Sequence, residues 1–273
     1  MLTGVSVARK KDGTVYYRSG ITFRLKHISL GSFPTPEEAH AAYMEAGEIL
    51  QNPGLTLDDL LTQKHTLSFE KVISLANARD NGVYIKNPIY LRSNYFSYFI
   101  SDSLELKFDV DDLFYYSFHR IMKRQGRYFV NDYGMQLGIL TRFGIPPYSV
   151  EGRDYRFVNG DSSDLRYSNV EVINPYHGVT LKKSETKERF KVVLHLRGNW
   201  VVGYYDTLTE AAVAYNKAAD LATNAGIKQN FPINDIPDIK ARQYAEIYSQ
   251  TEISPKLLAH IDSLREERRR HPI

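Results

Sequence analysis

Chemistry at a protein site needs groups that move protons, hold metals or attack electrophiles, and this chain offers few in usable arrays. Its 273 residues contain no cysteine, which removes disulfides, thiol nucleophiles, zinc ribbons and iron–sulfur clusters together. Eight histidines are scattered, and none stands at the His-x-x-x-His spacing that lets two imidazoles on one helix face grip zinc. Asp109, Asp111 and Asp112 are spaced like the start of a calcium loop, but the central glycine and the distal glutamate are missing. A solvated acidic turn, with Asp112 near a helix N-terminus, is expected there instead. No phosphate-cradling glycine loop and no nucleophile elbow occurs. No metal and no cofactor are therefore expected.

Cations set at alternating positions along short strands are the remaining candidates. Phe190, Val192, Leu194 and Leu196 fall on one face of a strand, and Arg189, Lys191, Val193, His195 and Arg197 on the other. Gly198-Asn199 signals a tight hairpin, and Trp200–Tyr205 is the returning strand. Thr207-Leu-Thr-Glu210 is a capping box that opens an alanine-rich helix running to about Thr223. Ala211, Ala214 and Ala218 recur at helical spacing, which lets the helix lie close to the sheet.

The same pattern occurs twice. Gly31, Thr35, Glu38, Ala39, Ala42, Tyr43 and Ala46 align without a gap to Gly203, Thr207, Glu210, Ala211, Ala214, Tyr215 and Ala218. A Gly-Val pair precedes each copy (Gly4-Val5 and Gly178-Val179). In the first copy Tyr17, Ile21 and Phe23 read as inward and Arg18, Thr22 and Arg24 as outward, and Pro36 sits at the first helical position. Each copy thus parses as three strands and a helix covering one sheet face. The uncovered face is polar and basic. It suits entry into a DNA major groove, or it is an ordinary solvated surface.

Net charge is only +3, but it is unevenly distributed. Residues 1–33 hold Arg9, Lys10, Lys11, Arg18, Arg24 and Lys26 against Asp12 alone. Residues 177–203 hold Lys182, Lys183, Lys187, Arg189, Lys191 and Arg197 against Glu185 and Glu188, while residues 100–112 are acidic apart from Lys107. Two basic ends around an acidic middle form an electrostatic footprint for a polyanion, or plain scatter over solvated surface. No apolar run reaches the roughly 18 residues that spanning a membrane requires, so no membrane association is expected. The opening residues carry no signal-peptide stretch, and a cytoplasmic location is expected.

Both copies resemble the Apetala-two/ethylene-response-factor DNA-binding domain: a Gly-Val pair, two basic strands, Leu-Gly-x-Phe and a Thr-x-x-x-Ala-Ala-x-Ala-Tyr-type helix. Leu30-Gly31-Ser32-Phe33 and Val202-Gly203-Tyr204-Tyr205 fill the third element, and Asn230-Phe231-Pro232 matches the family's closing tripeptide. The resemblance implies DNA contacts from His177, Thr180, Lys182, Arg189, Lys191, His195, Arg197 and Asn199. In the first copy it implies contacts from Thr3, Ser6, Arg18, Thr22, Arg24, His27 and Ser29. The family's usual arginines and tryptophan are largely replaced, by Thr180, His195, Asn199 and Val201.

The segment before the second copy resembles the core of HNH homing endonucleases. Asn159-Gly160-Asp161, Asp164-x-Arg166 and Asn169 align with that core, and His119-Arg120 is similar to its upstream His-Arg element. Such chemistry needs an imidazole to activate water and a carboxylate to hold a divalent metal. Here Phe157 stands at the general-base position and Arg156 at the ligand position, and the later asparagine position falls near Gly178. Loss of cleavage follows from the resemblance, with the retained polar residues forming a turn and an ion pair.

Elsewhere, residues 68–79 read as a helix capped at Ser68, 83–110 as strands, and 112–124 as a helix carrying Tyr115, Phe118 and Met122. Tyr95–Phe99 reads as core. Ser254-Pro255 opens a last helix with Leu257, Leu258, Ile261 and Leu264 on one stripe and a basic end, read as a docking or dimer helix, a DNA contact or a solvated tail. The expected fold is α+β. Modules at 1–52 and 176–233, each a three-stranded antiparallel sheet on one helix, flank a degenerate HNH-like (ββα) domain at 53–175, with C-terminal helices at 234–273. The expected function is sequence-specific binding of double-stranded DNA in the major groove, as a nucleoid-associated transcriptional regulator of a bacterial phage or mobile element. A homodimer through the middle domain or C-terminal helices is a further expectation. An active metal-dependent endonuclease and a non-DNA-binding interaction protein are the alternatives.

Overall fold

The computed structural model describes residues 2–147, 149–183, 187–237 and 239–270. The chain is mixed α+β, built from small antiparallel sheets and short helices. It divides into two compact units, residues 1–139 with 157–170, and residues 140–156 with 171–273.

The first unit begins with strands β1 (Val5–Arg9), β2 (Val15–Phe23) and β3 (Lys26–Phe33) and helix α1 (Pro36–Gln51). Thr35 caps α1, its Oγ accepting from the Glu38 N–H at 3.2 Å. Helices α2 (Leu57–Thr62) and α3 (Phe69–Asn81) follow, and α3 ends at Gly82, whose φ of +75° suits a residue without Cβ. Ile28 and Leu30 of the sheet, Ala42, Ala46 and Ile49 of α1, and Val72, Ile73 and Leu75 of α3 share one core. The alanines let α1 pack closely between its sheet and α3.

A second sheet, β4 (Ile89–Leu91), β5 (Tyr95–Ser101) and β6 (Leu104–Asp109), buries Phe96, Tyr98 and Phe108. Residues 112–124 do not form one helix. After a 3-10 turn, α4 (Leu113–Phe118) is short, and Met122 lies in strand β7 (Ile121–Arg124). Gln125 and Gly126, with φ of +50° and +79°, form the left-handed pair that a two-residue hairpin requires. That turn chemistry overrides the helical spacing and returns the chain into β8 (Arg127–Asp132) and β9 (Met135–Gly138). Asp112 is 1% exposed, not solvated: it sits under the first turn of α4, and the Tyr167 hydroxyl donates to its carboxylate at 3.4 Å.

Strands β10 (Tyr155–Phe157) and β11 (Val170–Val172) form a two-stranded ribbon at the points where the chain passes between units. The second unit carries β12 (Val179–Lys183), β13 (Glu188–His195), β14 (Asn199–Tyr205), α5 (Leu208–Asn224), α6 (Ala241–Gln250) and α7 (Pro255–Arg270). The capping box at Thr207 and Glu210 is formed in both directions. Val192, Leu194 and Val202 pack on Ala211, Ala214 and Ala218, and α7 adds Leu257 and Ile261. Leu258 turns away from that stripe and is exposed. No helix among the described residues is long and apolar enough to cross a membrane.

Candidate nucleic-acid interface

The strand register of the second module fixes what its uncovered face presents. Thr180 pairs with Lys191 and Lys191 with Tyr204; Lys182 pairs with Arg189; Val193 pairs with Val201; His195 pairs with Asn199. Directly paired residues share a face, so these rows form one surface opposite the buried Val192, Leu194 and Val202. Lys182, His195, Asn199 and Tyr204 are exposed, and Thr180 and Lys191 half-buried. A bulge at Val192/Val193 leaves Val202 as the extra residue of β14 and twists the sheet locally.

The cations on this face are not equivalent. Arg189 donates to Asp206 at 2.9 Å and to the Tyr204 carbonyl at 2.7 Å, and Lys187 pairs with the same carboxylate at 3.0 Å. Hydrogen bonding from Lys187, with the charge of Arg189 added, holds the Asp206 carboxyl below its ordinary range. Lys182 and Lys191 form no ion pair among the described residues. His195 Nδ1 and Asn199 Oδ1 lie 2.9 Å apart, which sets the imidazole and the amide side by side at the strand ends.

Two predicted contacts lie off the face. Arg197 is in the hairpin loop with φ +52°, and it donates to Glu267 of α7 at 2.8 Å. The loop takes up Leu196, Arg197 and Gly198, so strand alternation stops at His195. His177 sits before β12, where its N–H donates to Asn234 at 2.7 Å, and Asn234 is held in turn by Asn216 of α5. Burial pushes the His177 imidazole below its ordinary pKa. Its ring lines a cleft of about 540 Å³ that also takes in Thr180, His195, Asn199 and Phe231. Sequence reasoning missed Tyr204, 47% exposed in the Lys191 row, although its place beside inward Tyr205 was a strand-alternation signal.

The first module has the same topology and a weaker surface. Its outward rows are Ser6–Arg18–Ser32, Ala8–Tyr16, Gly20–Ser29 and Thr22–His27. Arg18 donates to the Tyr16 hydroxyl at 2.8 Å. Arg24 is not on a strand: with Leu25 it forms the β2–β3 turn at φ +45° and +65°, and its guanidinium lies 5.1 Å from the Phe23 ring centre. Thr3 precedes β1, where its carbonyl lies 2.9 Å from His40 Nδ1.

The nuclease-like residues form a closed structural knot in the first unit. Asn159 donates to Asp164 at 3.0 Å, Arg166 grips the same carboxylate at 2.8 and 2.6 Å, and Asn169 donates to the carbonyls of Asp161 and Asp164. Hydrogen bonding from Arg166 keeps the buried Asp164 carboxyl below its ordinary range. Lys107 joins the segment to β6 through backbone bonds to Ser163 and Leu165. Phe157 is 9% exposed, and Arg156 pairs with Glu171 at 2.7 Å. His119 stacks on Tyr115 and lies 3.4 Å from Asp132. Among the described residues no cluster of three histidine or acidic side chains is placed to hold a metal.

No family model, curated protein or solved structure matches this chain.

Proposed function

We propose that the protein binds double-stranded DNA without cleaving it, through two Apetala-two-like modules around a degenerate HNH-like domain. It acts as a transcriptional regulator of a bacterial phage or mobile element. The observation that carries this reading is the uncovered face of β12–β14. There Lys182 and Lys191, which form no ion pair among the described residues, stand beside Thr180, His195, Asn199 and Tyr204, while the opposite face packs against α5. Long cations reach phosphates, and the amide and imidazole groups carry hydrogen-bonding capacity to base edges of a major groove. The non-cleaving part rests on Arg156 and Phe157, one paired with Glu171 and the other buried, and on the consumption of Asp164 and Asn169 in internal bonds.

Titration of the full chain against labelled random duplex at graded salt tests binding. A linear fall of log affinity with log salt is expected, with base preference emerging from selection out of a random library. Salt-independent or absent binding rejects the reading. Incubation of the target with magnesium or manganese tests the chemistry. Nicking that disappears in Asp161→Ala or His119→Ala identifies an active nuclease instead.

A further inference from the structure

The cleft at the start of β12 holds polar groups that neither the fold nor the strand face uses. At about 540 Å³ it falls within the roughly 300–1,000 Å³ range of small-molecule clefts. Tyr215 of α5 lines it and is only 6% exposed. The Tyr215 hydroxyl makes no hydrogen bond among the described residues, yet it is not sealed inside the core. Burial pushes this phenol above its ordinary pKa. A buried hydroxyl without a partner calls for an explanation, because it has given up water and gained no bond in exchange. A polar group entering the cleft would supply that bond.

Further unspent groups line the same space. The Thr180 hydroxyl and the Asn230 amide make no hydrogen bond among the described residues, and Asn199 commits only its Oδ1, to His195. Val179, Val193 and Phe231 supply apolar wall. The walls are fixed in advance: Gln229 Nε2 donates to the His195 carbonyl at 2.9 Å, and Asn234 bonds both backbone groups of His177. Charge narrows the ligand. Asp154 is the sole carboxylate among the described lining residues, and Arg153, Asn174 and the Val150 N–H already donate to it. Nothing acidic is left there to hold a metal ion or an amine, and Arg153 is committed through Nε and Nη2. The fitting ligand is a neutral body with hydrogen-bonding edges and apolar faces, which is the chemistry of a nucleobase. Thr180, His195 and Asn199 also belong to the outward face of β12–β14, so the cleft opens onto that face.

We propose that this cleft binds one nucleobase, with Tyr215, Asn230 and Thr180 bonding its edge and Phe231 lining its ring face. The base comes from a bound duplex, everted from its stack, or from a free nucleoside. The first source rests on the reading of the chain as a DNA-binding protein; the cleft itself does not.

Calorimetric titration of the full chain with each deoxynucleoside tests the free source. Duplexes carrying 2-aminopurine at successive positions of a selected site test the everted one, since that base brightens on leaving the stack. Heat in the first arm or brightening in the second is expected, and the arm that responds names the source. In that arm Tyr215→Phe and Asn230→Ala should each weaken the response about tenfold, the worth of one hydrogen bond. Tyr215→Phe should unfold at the wild-type temperature or later, because the hydroxyl it removes has no partner to lose. Duplex binding with neither heat nor brightening overturns this proposal alone. A response that both variants leave unchanged puts the base elsewhere and overturns it. So does a response lost only together with earlier unfolding, which makes the two side chains structural. Nucleoside heat without duplex binding upholds the cleft and rejects the DNA reading. Silence in every arm overturns both.

Discussion

In the first repeat Gly4 sits at φ +76°, and a Cβ there would lie 2.1 Å from the Tyr43 ring; in the second Gly178 sits at φ +71°, with 2.3 Å to Tyr215. Both sheets bulge at the matching place, making Leu30 and Val202 the extra, buried residues of their last strands. Both helices open on a threonine whose hydroxyl accepts from a glutamate N–H three residues on. The interior geometry is thus held in common to the level of single atoms. The outward faces are not. The second repeat presents Lys182, Lys191, His195 and Asn199, whereas the first presents Ser6, Ser29, Ser32, Thr22 and Gly20 around Arg18 and His27. Packing restrains a repeat from within, while the solvent face is free to diverge, and divergence there changes what is bound without changing the fold.

The sharpest way to break the internal equivalence is at the glycines. Gly4→Ala and Gly178→Ala should each cost about 3 kcal/mol, because a Cβ meets a packed aromatic ring, partly buried at Tyr43 and buried at Tyr215, and the backbone angle is strained. Urea unfolding of the two variants checks this, and tolerance at either position would end the equivalence. The external difference should show next. His195→Ala should lose about 1–3 kcal/mol on a selected site and little on random duplex, while Thr22→Ala in the first repeat should change neither by more than about 0.5 kcal/mol. Arg18→Ala should weaken selected and random DNA alike, as a phosphate contact would.

A smaller effect distinguishes the helix starts. Of α1 and α5, α5 alone has the reciprocal bond among the described residues, Thr207 N–H donating to Glu210 at 3.1 Å, so Glu210→Ala should cost about 1 kcal/mol and Glu38→Ala a few tenths. The smallest concerns pH. Burial lowers the His177 pKa from 6.5, so the folded state binds that proton less readily than the unfolded chain. The contribution is complete above about 6.5 and is lost as pH falls through the lowered value. His177→Gln should flatten the fall of the urea midpoint between neutral and mildly acid pH; an unchanged slope would remove His177 from the account.

The repeat was legible because its interior is legible: alanines at helical spacing, a glycine that must avoid a ring, and alternation in Phe190–Leu194 all leave traces in residue order. The Thr35 and Thr207 helix starts read correctly for the same local reason, whereas Ser68 stands at the cap position of α3 without a side-chain cap bond. Turn geometry was less legible. Arg24 and Arg197 looked like strand cations, but each adopts a left-handed backbone that a neighbouring hairpin demands. Met122 looked helical until the Gln125-Gly126 turn is taken into account. Asp112 looked solvated, and only the long-range approach of Tyr167 reveals otherwise.

The bulged residue of β14 has a consequence beyond twist. The Val202 carbonyl accepts from the Ser254 N–H at 2.8 Å, and the Tyr205 hydroxyl donates to the Glu252 carbonyl at 2.8 Å. The segment leading into α7 therefore occupies the outer edge of the last strand, where a bare strand would offer unpaired groups to any passing chain. With the Val202 carbonyl already taken, a neighbouring chain is denied part of the backbone ladder by which sheets grow into aggregates.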